Sequence, residues 1–293
     1  MRKLGIAALC SIGWLALPST GSPQAVSRPP QKAGSHAAAE LAITSTFPAA
    51  HPRGLIVTSG GWIYCANTQT LARTAGYTLL CGRYAKDGYT WYNLRARRHL
   101  DWGNPLYLAQ FARTIARVHR QVGGPLIFVG VSYSGFGMAT LASHHPELRP
   151  DKLIVVDAYL DLVARWRHGA SQPIGKEIEV ETGRSLAALK ARSVDVQGLA
   201  KLVRQGTRLS VIWSISAQEN HVFHGATCAR DANAETLAKL ARVLHKPVPG
   251  WVTQGEHGFD LWDNAPAIIE GRNPGRVVAF RPSGAIPAGS YCT

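Results

Sequence analysis

The stretch Pro125-Leu126-Ile127-Phe128-Val129-Gly130-Val131-Ser132-Tyr133-Ser134-Gly135 constrains the fold of this chain more than any other. Leu126 to Val129 are large and apolar without alternation, the pattern of a strand covered on both faces inside a parallel sheet. The run ends in Gly-x-Ser-x-Ser-Gly and then turns helical. Small residues on either side of Ser132 let a strand reverse sharply into a helix, because only they allow the two backbones to come close. One side chain is left at the apex, near a helix N-terminus where a developing anion is stabilised. The spacing points to Ser132 as a nucleophile. A Gly/Ser-rich turn without chemistry is the plainer alternative.

The flanking segments place this strand in a sheet. Leu55-Ile56-Val57-Thr58 reads as a buried strand running into Ser59-Gly60-Gly61-Trp62. Asn67 to Ala75 is helix-compatible and closes at Gly76, and Tyr77 to Cys81 is the next strand, which makes a βαβ unit. Asn104-Pro105 opens a helix whose Leu108, Phe111, Ile115, Val118 and Val122 form one apolar stripe. Lys152 to Val156 is a strand with Asp157 at its end, Leu209 to Ile215 another, and Asn233 to Leu244 a helix. Gly250 to Thr253 reads as the last strand and leads into Gly255-Glu256-His257-Gly258-Phe259. This alternation predicts an α/β fold with a mostly parallel central sheet flanked by helices. Residues 158–208 are weakly patterned and read as a small cap insertion over the site opening. The tail after Asn273 is rich in Gly and Pro and basic.

The N-terminus has a different character. Arg2 and Lys3 precede the apolar run Leu4 to Leu17, and Pro18-Ser19-Thr20-Gly21-Ser22 follows, which describes a signal peptide over 1–22. The run is short for a membrane span, so stable membrane insertion is not expected. Residues 23–50 are expected to be a flexible leader and 51–293 the folded domain. The protein is then exported, periplasmic or extracellular. Of its five cysteines, Cys10 falls in the signal peptide, leaving Cys65, Cys81, Cys228 and Cys292. Four cysteines in an exported chain suggest two disulfides among three possible pairings. Cys65 precedes a helix and Cys81 ends the following strand of the same βαβ unit, so these two lie at one sheet edge; Cys228 with Cys292 is the complementary pair.

The chain carries a formal net charge of +14. The basic residues are dispersed and accompany no nucleic-acid motif, so no nucleic-acid partner is expected. A solubilising surface is the simpler account, with contact to anionic cell-surface polymers as the functional one. His221-x-x-His224 and His144-His145 are the close histidine pairs, and neither has the partners of a metal site. No cofactor is implied.

A serine nucleophile needs a base, and the base an orienting acid. Among eleven histidines, His257 stands just beyond a strand in a Gly-flanked loop with Phe259 and Trp262 following. The acid is expected between serine and histidine, in a loop after a strand. Glu219, in Ser216-Ala217-Gln218-Glu219-Asn220-His221-Val222, is preferred; Asp157 is the main rival and Asp231 a weaker one. Tyr84, Tyr89, Trp91, Trp166 and Trp262 are candidates to line an apolar pocket.

The order Ser132, Glu219, His257, the elbow and the βα alternation resemble the α/β-hydrolase superfamily over about Leu55 to Trp262. Ser216-x-x-Glu219-x-x-Val222 is similar to the family's Gly-x-x-Asp-x-x-Val acid loop, with Ser for Gly and Glu for Asp. Ser134 stands where a second Gly is usual. The resemblance implies an oxyanion hole of two backbone amides: Tyr133, after the nucleophile, and Trp62, with Gly61 second, in the loop after the early strand. It also implies a secreted serine hydrolase acting on carboxylic esters, with a small-molecule or acyl-ester substrate. A serine peptidase or amidase on the same fold is the alternative, as is a non-catalytic binding protein that retains the fold.

Overall fold

The computed structural model describes residues 43–59, 62–83, 103, 105–169, 178–179, 182–214, 229–253, 267–272 and 275–287. By contacts the chain divides into Met1–Ala39 and Glu40–Thr293, and every described residue belongs to the second unit.

The apolar run of the opening stretch is a strand, β4 (Leu126–Val131), buried at every residue. It lies inside an eight-stranded sheet of order β1-β3-β2-β4-β5-β6-β7-β8. The other strands are β1 (Ile43–Phe47), β2 (Leu55–Ser59), β3 (Thr78–Arg83), β5 (Lys152–Val156), β6 (Arg208–Ser214), β7 (Val248–Thr253) and β8 (Arg276–Phe280). From β3 through β7 neighbouring strands run parallel, while β1 and β8 join antiparallel at the two edges. Strands covered on both faces lose no backbone bond to water, which is why β2 and β4 are apolar without alternation.

Helices cover both faces. On one side lie α1 (Trp62–Ala75) and the helical turn 267–270, which bury Cys65, Leu71, Ala72, Ile268 and Ile269 with Ile56, Ile127 and Ile154 of the sheet. The other side carries α2 (Pro105–Val122), α3 (Tyr133–His144) and two later helices. Proline at the first position of α2 costs no hydrogen bond there, and Tyr107, Leu108, Phe111, Ala112, Ile115 and Val118 form its buried stripe. The intervening helices are α4 (Leu162–Gly169), α5 (Leu186–Arg192), α6 (Val196–Arg204) and α7 (Ala229–Leu244). Ser185 caps α5 through Ala188 N–H, and Asp195 caps α6 through the amides of Gln197 and Gly198.

Three expectations change. Ile43–Phe47 lies inside the stretch read as a flexible leader, so the sheet begins before residue 51. Its pattern, Ile-Thr-Ser-Thr-Phe, is β-branched and alternating, but too short to stand out without knowing that an edge of β3 lies open to pair with it. β7 is not the last strand: Arg276–Phe280 of the basic tail pairs with it and buries Val278 and Phe280. The stretch 158–208, expected to be one cap insertion, also divides in two. Leu162, Val163, Ile178 and Leu189 form a separate apolar cluster on Phe136 of α3, whereas α6 packs against α3 and α7 as part of the body.

Candidate active site

Parallel strands present their carboxyl ends at one sheet edge, and ligands in open α/β sheets bind there. Ser132 follows β4 at that edge. Its backbone has φ 55° and ψ −120°, a conformation that non-glycine residues rarely adopt. The turn is held by Ser132 N–H donating to Val156 O (2.9 Å) and by Phe136 N–H donating to Ser132 O (3.1 Å). It also depends on two glycines. A methyl group on Gly130 would overlap Ser134 O and Gly135 N, and one on Gly135 would stand 2.6 Å from Ala158 Cβ.

The geometry has a chemical consequence. A serine before a helix ordinarily turns its hydroxyl onto the first-turn amides as a cap. Here the Ser132 side chain makes no capping bond to α3, and its backbone has the positive φ of the elbow rather than the extended conformation usual at a cap. Ser132 stands at the head of α3, where the first amides lack intrahelical acceptors and the dipole favours negative charge. Tyr133 is the first residue of α3 and half-buried. α1 starts at Trp62, just beyond β2, and β2 pairs with β4. Two helix N-termini therefore sit past the ends of adjacent strands.

Asp157 follows β5 directly beside the elbow. It is 3% exposed and also has a positive φ, 48°, and its N–H donates to Ile212 O at 2.9 Å. Burying a carboxylate is costly unless it is engaged by other groups, which marks this position as specialised.

Sequence reasoning missed a hydroxyl cluster behind the elbow. Ser134 Oγ lies 3.0 Å from Thr58 Oγ1 and accepts the Ser59 N–H at 3.4 Å, and all three residues are buried. The signals for it are the Thr-Ser ending of an apolar strand and a serine where glycine is usual. Only the pairing of β2 with β4 makes them neighbours.

Cys65 and Cys81 form a disulfide, as expected. Glu219, His257, Gly61, Cys228, Cys292, Tyr84, Tyr89, Trp91, Trp262, His221 and His224 lie outside the described residues. Asp231 falls within α7, and of Trp62 and Asp231 only the backbone is described. Trp166 lies against the cap cluster and donates from Nε1 to Glu179 Oε1 at 3.3 Å. His144 Nε2 is 2.9 Å from Ser193 O and His145 Nδ1 2.9 Å from Glu147 Oε1, so both have structural partners. Among the described residues, no three His, Cys, Asp or Glu side chains are grouped to hold a metal ion, and no helix is long and apolar enough to cross a membrane.

No family model matches the chain, and no curated protein matches it in sequence. Solved structures do match. An alpha/beta hydrolase superfamily protein from Enterococcus faecalis aligns at 13% identity and TM-score 0.50, over 79% of this chain and 96% of the other. Carboxyl esterase 2 from the fungus Tuber melanosporum aligns at 12% identity and TM-score 0.50, over 79% of this chain and 82% of the other. An acylaminoacyl peptidase aligns at 14% identity and TM-score 0.51, over 83% of this chain and 43% of the peptidase, so this chain spans less than half of that protein. At these identities the likeness is one of fold.

Proposed function

We propose that this chain, which has the α/β-hydrolase fold, is an exported serine hydrolase that cleaves carboxylic esters through Ser132, His257 and Glu219. The observation that carries the reading is the Ser132 elbow: a non-glycine residue held at φ 55° between β4 and α3, whose side chain makes no capping bond to the helix it precedes. Strain of that kind persists where function uses it.

In this mechanism His257 takes the Ser132 proton as Oγ attacks the ester carbonyl carbon. The oxyanion of the tetrahedral intermediate is received by the amides of Tyr133 and Trp62, with Gly61 as the second choice in that loop. Each such donor is worth about 3–4 kcal/mol of transition-state stabilisation. The intermediate collapses, the alcohol leaves with the proton from His257, and an acyl-Ser132 remains. His257 then draws a proton from water, which attacks the acyl carbon and releases the acid. Glu219 orients the imidazole. A second assignment gives that role to Asp157, favoured by its burial and its positive φ beside the elbow. The Cys65–Cys81 disulfide and the basic-apolar N-terminus support export, since disulfides persist in oxidising compartments.

A fluorophosphonate label on the mature protein tests the nucleophile. Labelling that disappears in Ser132→Ala is expected; absent labelling, or equal labelling of the variant, removes the reading and leaves a binding protein on the fold. Aryl esters of graded acyl length, assayed beside the matching anilides, separate esterase from amidase. Glu219→Ala and Asp157→Ala, made separately, decide the acid. Turnover lost only in Asp157→Ala reassigns the role.

A further inference from the structure

The hydroxyl cluster behind the elbow continues across the sheet. Thr58, which touches Ser134, stands in register with Cys81 on the neighbouring strand β3. Ile56 and Thr58 share one face of β2, as Leu79 and Cys81 share the same face of β3. Ile56, Leu79, Cys81 and Cys65 belong to one apolar cluster on that face. Cys81 is bonded to Cys65, which lies in the first turn of α1 with its Cα 5.8 Å from that of Cys81. Ser134, Thr58, Cys81 and Cys65 thus form a transverse row from the elbow to α1, and each is at most 1% exposed.

The row brackets one short piece of chain. Ser59 N–H is tied to Ser134 Oγ on the strand side, and Cys65 is tied to β3 on the helix side. Between them lie residues 60–61 and the start of α1 at Trp62. Ser134 itself follows Tyr133 in the chain. Of the two amides proposed to receive the oxyanion, that of Tyr133 directly precedes Ser134, and that of Trp62 begins the helical turn that carries Cys65. Ser59 Oγ is buried and has no hydrogen-bond partner among the described residues, so its backbone N–H carries the tie to Ser134.

We propose that Ser134, Thr58 and the Cys65–Cys81 disulfide are positioning residues that set the spacing between the Trp62 and Tyr133 amides, and that reducing the disulfide slackens this spacing and lowers turnover. The inference rests on the serine-hydrolase reading for its catalytic consequence. Reduction by dithiothreitol breaks the S–S bond and yields two thiols, the reagent supplying two electrons and two protons and closing to its own cyclic disulfide. A displacement of about 1 Å at a catalytic donor lowers rate by up to about a hundredfold, and the loss falls on the transition state rather than on substrate binding.

The experiment uses the mature protein, its Cys65→Ala/Cys81→Ala variant, dithiothreitol-treated wild type, Ser134→Ala, Thr58→Val and Thr58→Ser. Loss of the strap is expected to lower kcat about tenfold with KM within about twofold, and to weaken a boronic-acid transition-state analogue in proportion to kcat. Thr58→Ser, which keeps the hydroxyl, is expected to stay close to wild type, whereas the isosteric Thr58→Val loses part of what Ser134→Ala loses, since it leaves the Ser59 N–H bond to Ser134 in place. The double variant Thr58→Val/Ser134→Ala loses no more than Ser134→Ala alone, because Ser134→Ala already removes both the Thr58 and the Ser59 bonds. A raised KM with kcat intact, or a Thr58→Val variant as active as wild type, overturns the proposal. Hydrogen exchange over the peptide spanning α1 provides a readout that needs no activity. Exchange there is expected to quicken on reduction and in Ser134→Ala while that of β4 is unchanged; exchange unaltered in α1 sinks the strap whatever the enzyme does. A protein that takes no fluorophosphonate yet shows the quickened exchange has lost the hydrolase reading and kept the strap.

Discussion

At Gly130 and Gly135 the elbow leaves no room for a methyl group. Gly135 faces Ala158 Cβ and Gly130 O, and neither the short alanine nor the backbone oxygen has a rotamer with which to retreat. Gly135→Ala is therefore expected to cost about 1–3 kcal/mol, the range for forced overpacking, and to lower kcat by shifting Ser132. Urea denaturation beside an ester assay measures both, and a variant with wild-type stability and rate shows that α3 can move aside. Ser134 sits between these glycines in a different way. Its hydroxyl, absent from glycine, bonds to Thr58 and Ser59, so a departure from the usual motif becomes a tie between two strands.

Between elements, two close approaches hold the layers. α6 meets α3 at Gly198, where a methyl group would overlap Ser143 O, and Asp195 N–H donates to Ser143 Oγ at 3.0 Å. α1 is bound to β3 by the disulfide, whose cysteines are 16 residues apart in sequence. Closing a loop of that length restricts the unfolded chain by about 3 kcal/mol in the chain-entropy account. Cys65→Ala/Cys81→Ala is expected to lose roughly that much in urea denaturation. A loss below about 1 kcal/mol shows that the tie acts locally on α1 rather than on global stability.

Across the whole molecule, Lys152 joins distant parts of the chain at the sheet edge opposite the elbow. It begins β5, lies in register with Arg208 on β6, and donates from Nζ to Ile269 O at the end of the turn 267–270. Burial, reinforced by Arg208, holds its ammonium pKa below the usual 10.5. The folded state therefore binds this proton less readily than the unfolded chain does. The cost is fully present below the folded pKa and is relieved as pH rises through that value towards 10.5, so this residue's contribution to stability rises with pH. The neutral amine keeps its N–H donors for Ile269 O. Compared with Lys152→Met, wild type is expected to gain in urea midpoint as pH rises towards 10.5. A difference that is flat over this rise, or runs the other way, refutes the assignment.

Sequence alone determined the central strand, the elbow and the parallel layering, because each is written in a local pattern. A short unalternating apolar run that ends in a glycine-rich turn fits a strand buried on both faces, and glycines two and three residues from a serine permit a sharp strand-to-helix turn. The Cys65–Cys81 bond was legible for a related reason: a βαβ unit brings the start of its helix and the end of its second strand to one edge. Tertiary structure decided what depends on pairing. β1 and β8 are short, and Val277 of β8 is 56% exposed, so neither edge strand announces itself until β3 and β7 offer open edges. The division of 158–208 between the apolar cluster on Phe136 and a helix of the body followed from which face of α6 found α3. The row from Ser134 through Thr58 and Cys81 to Cys65 needed the register of three strands, since hydroxyls and sulfurs far apart in sequence meet only when backbone hydrogen bonds fix which residues stand side by side.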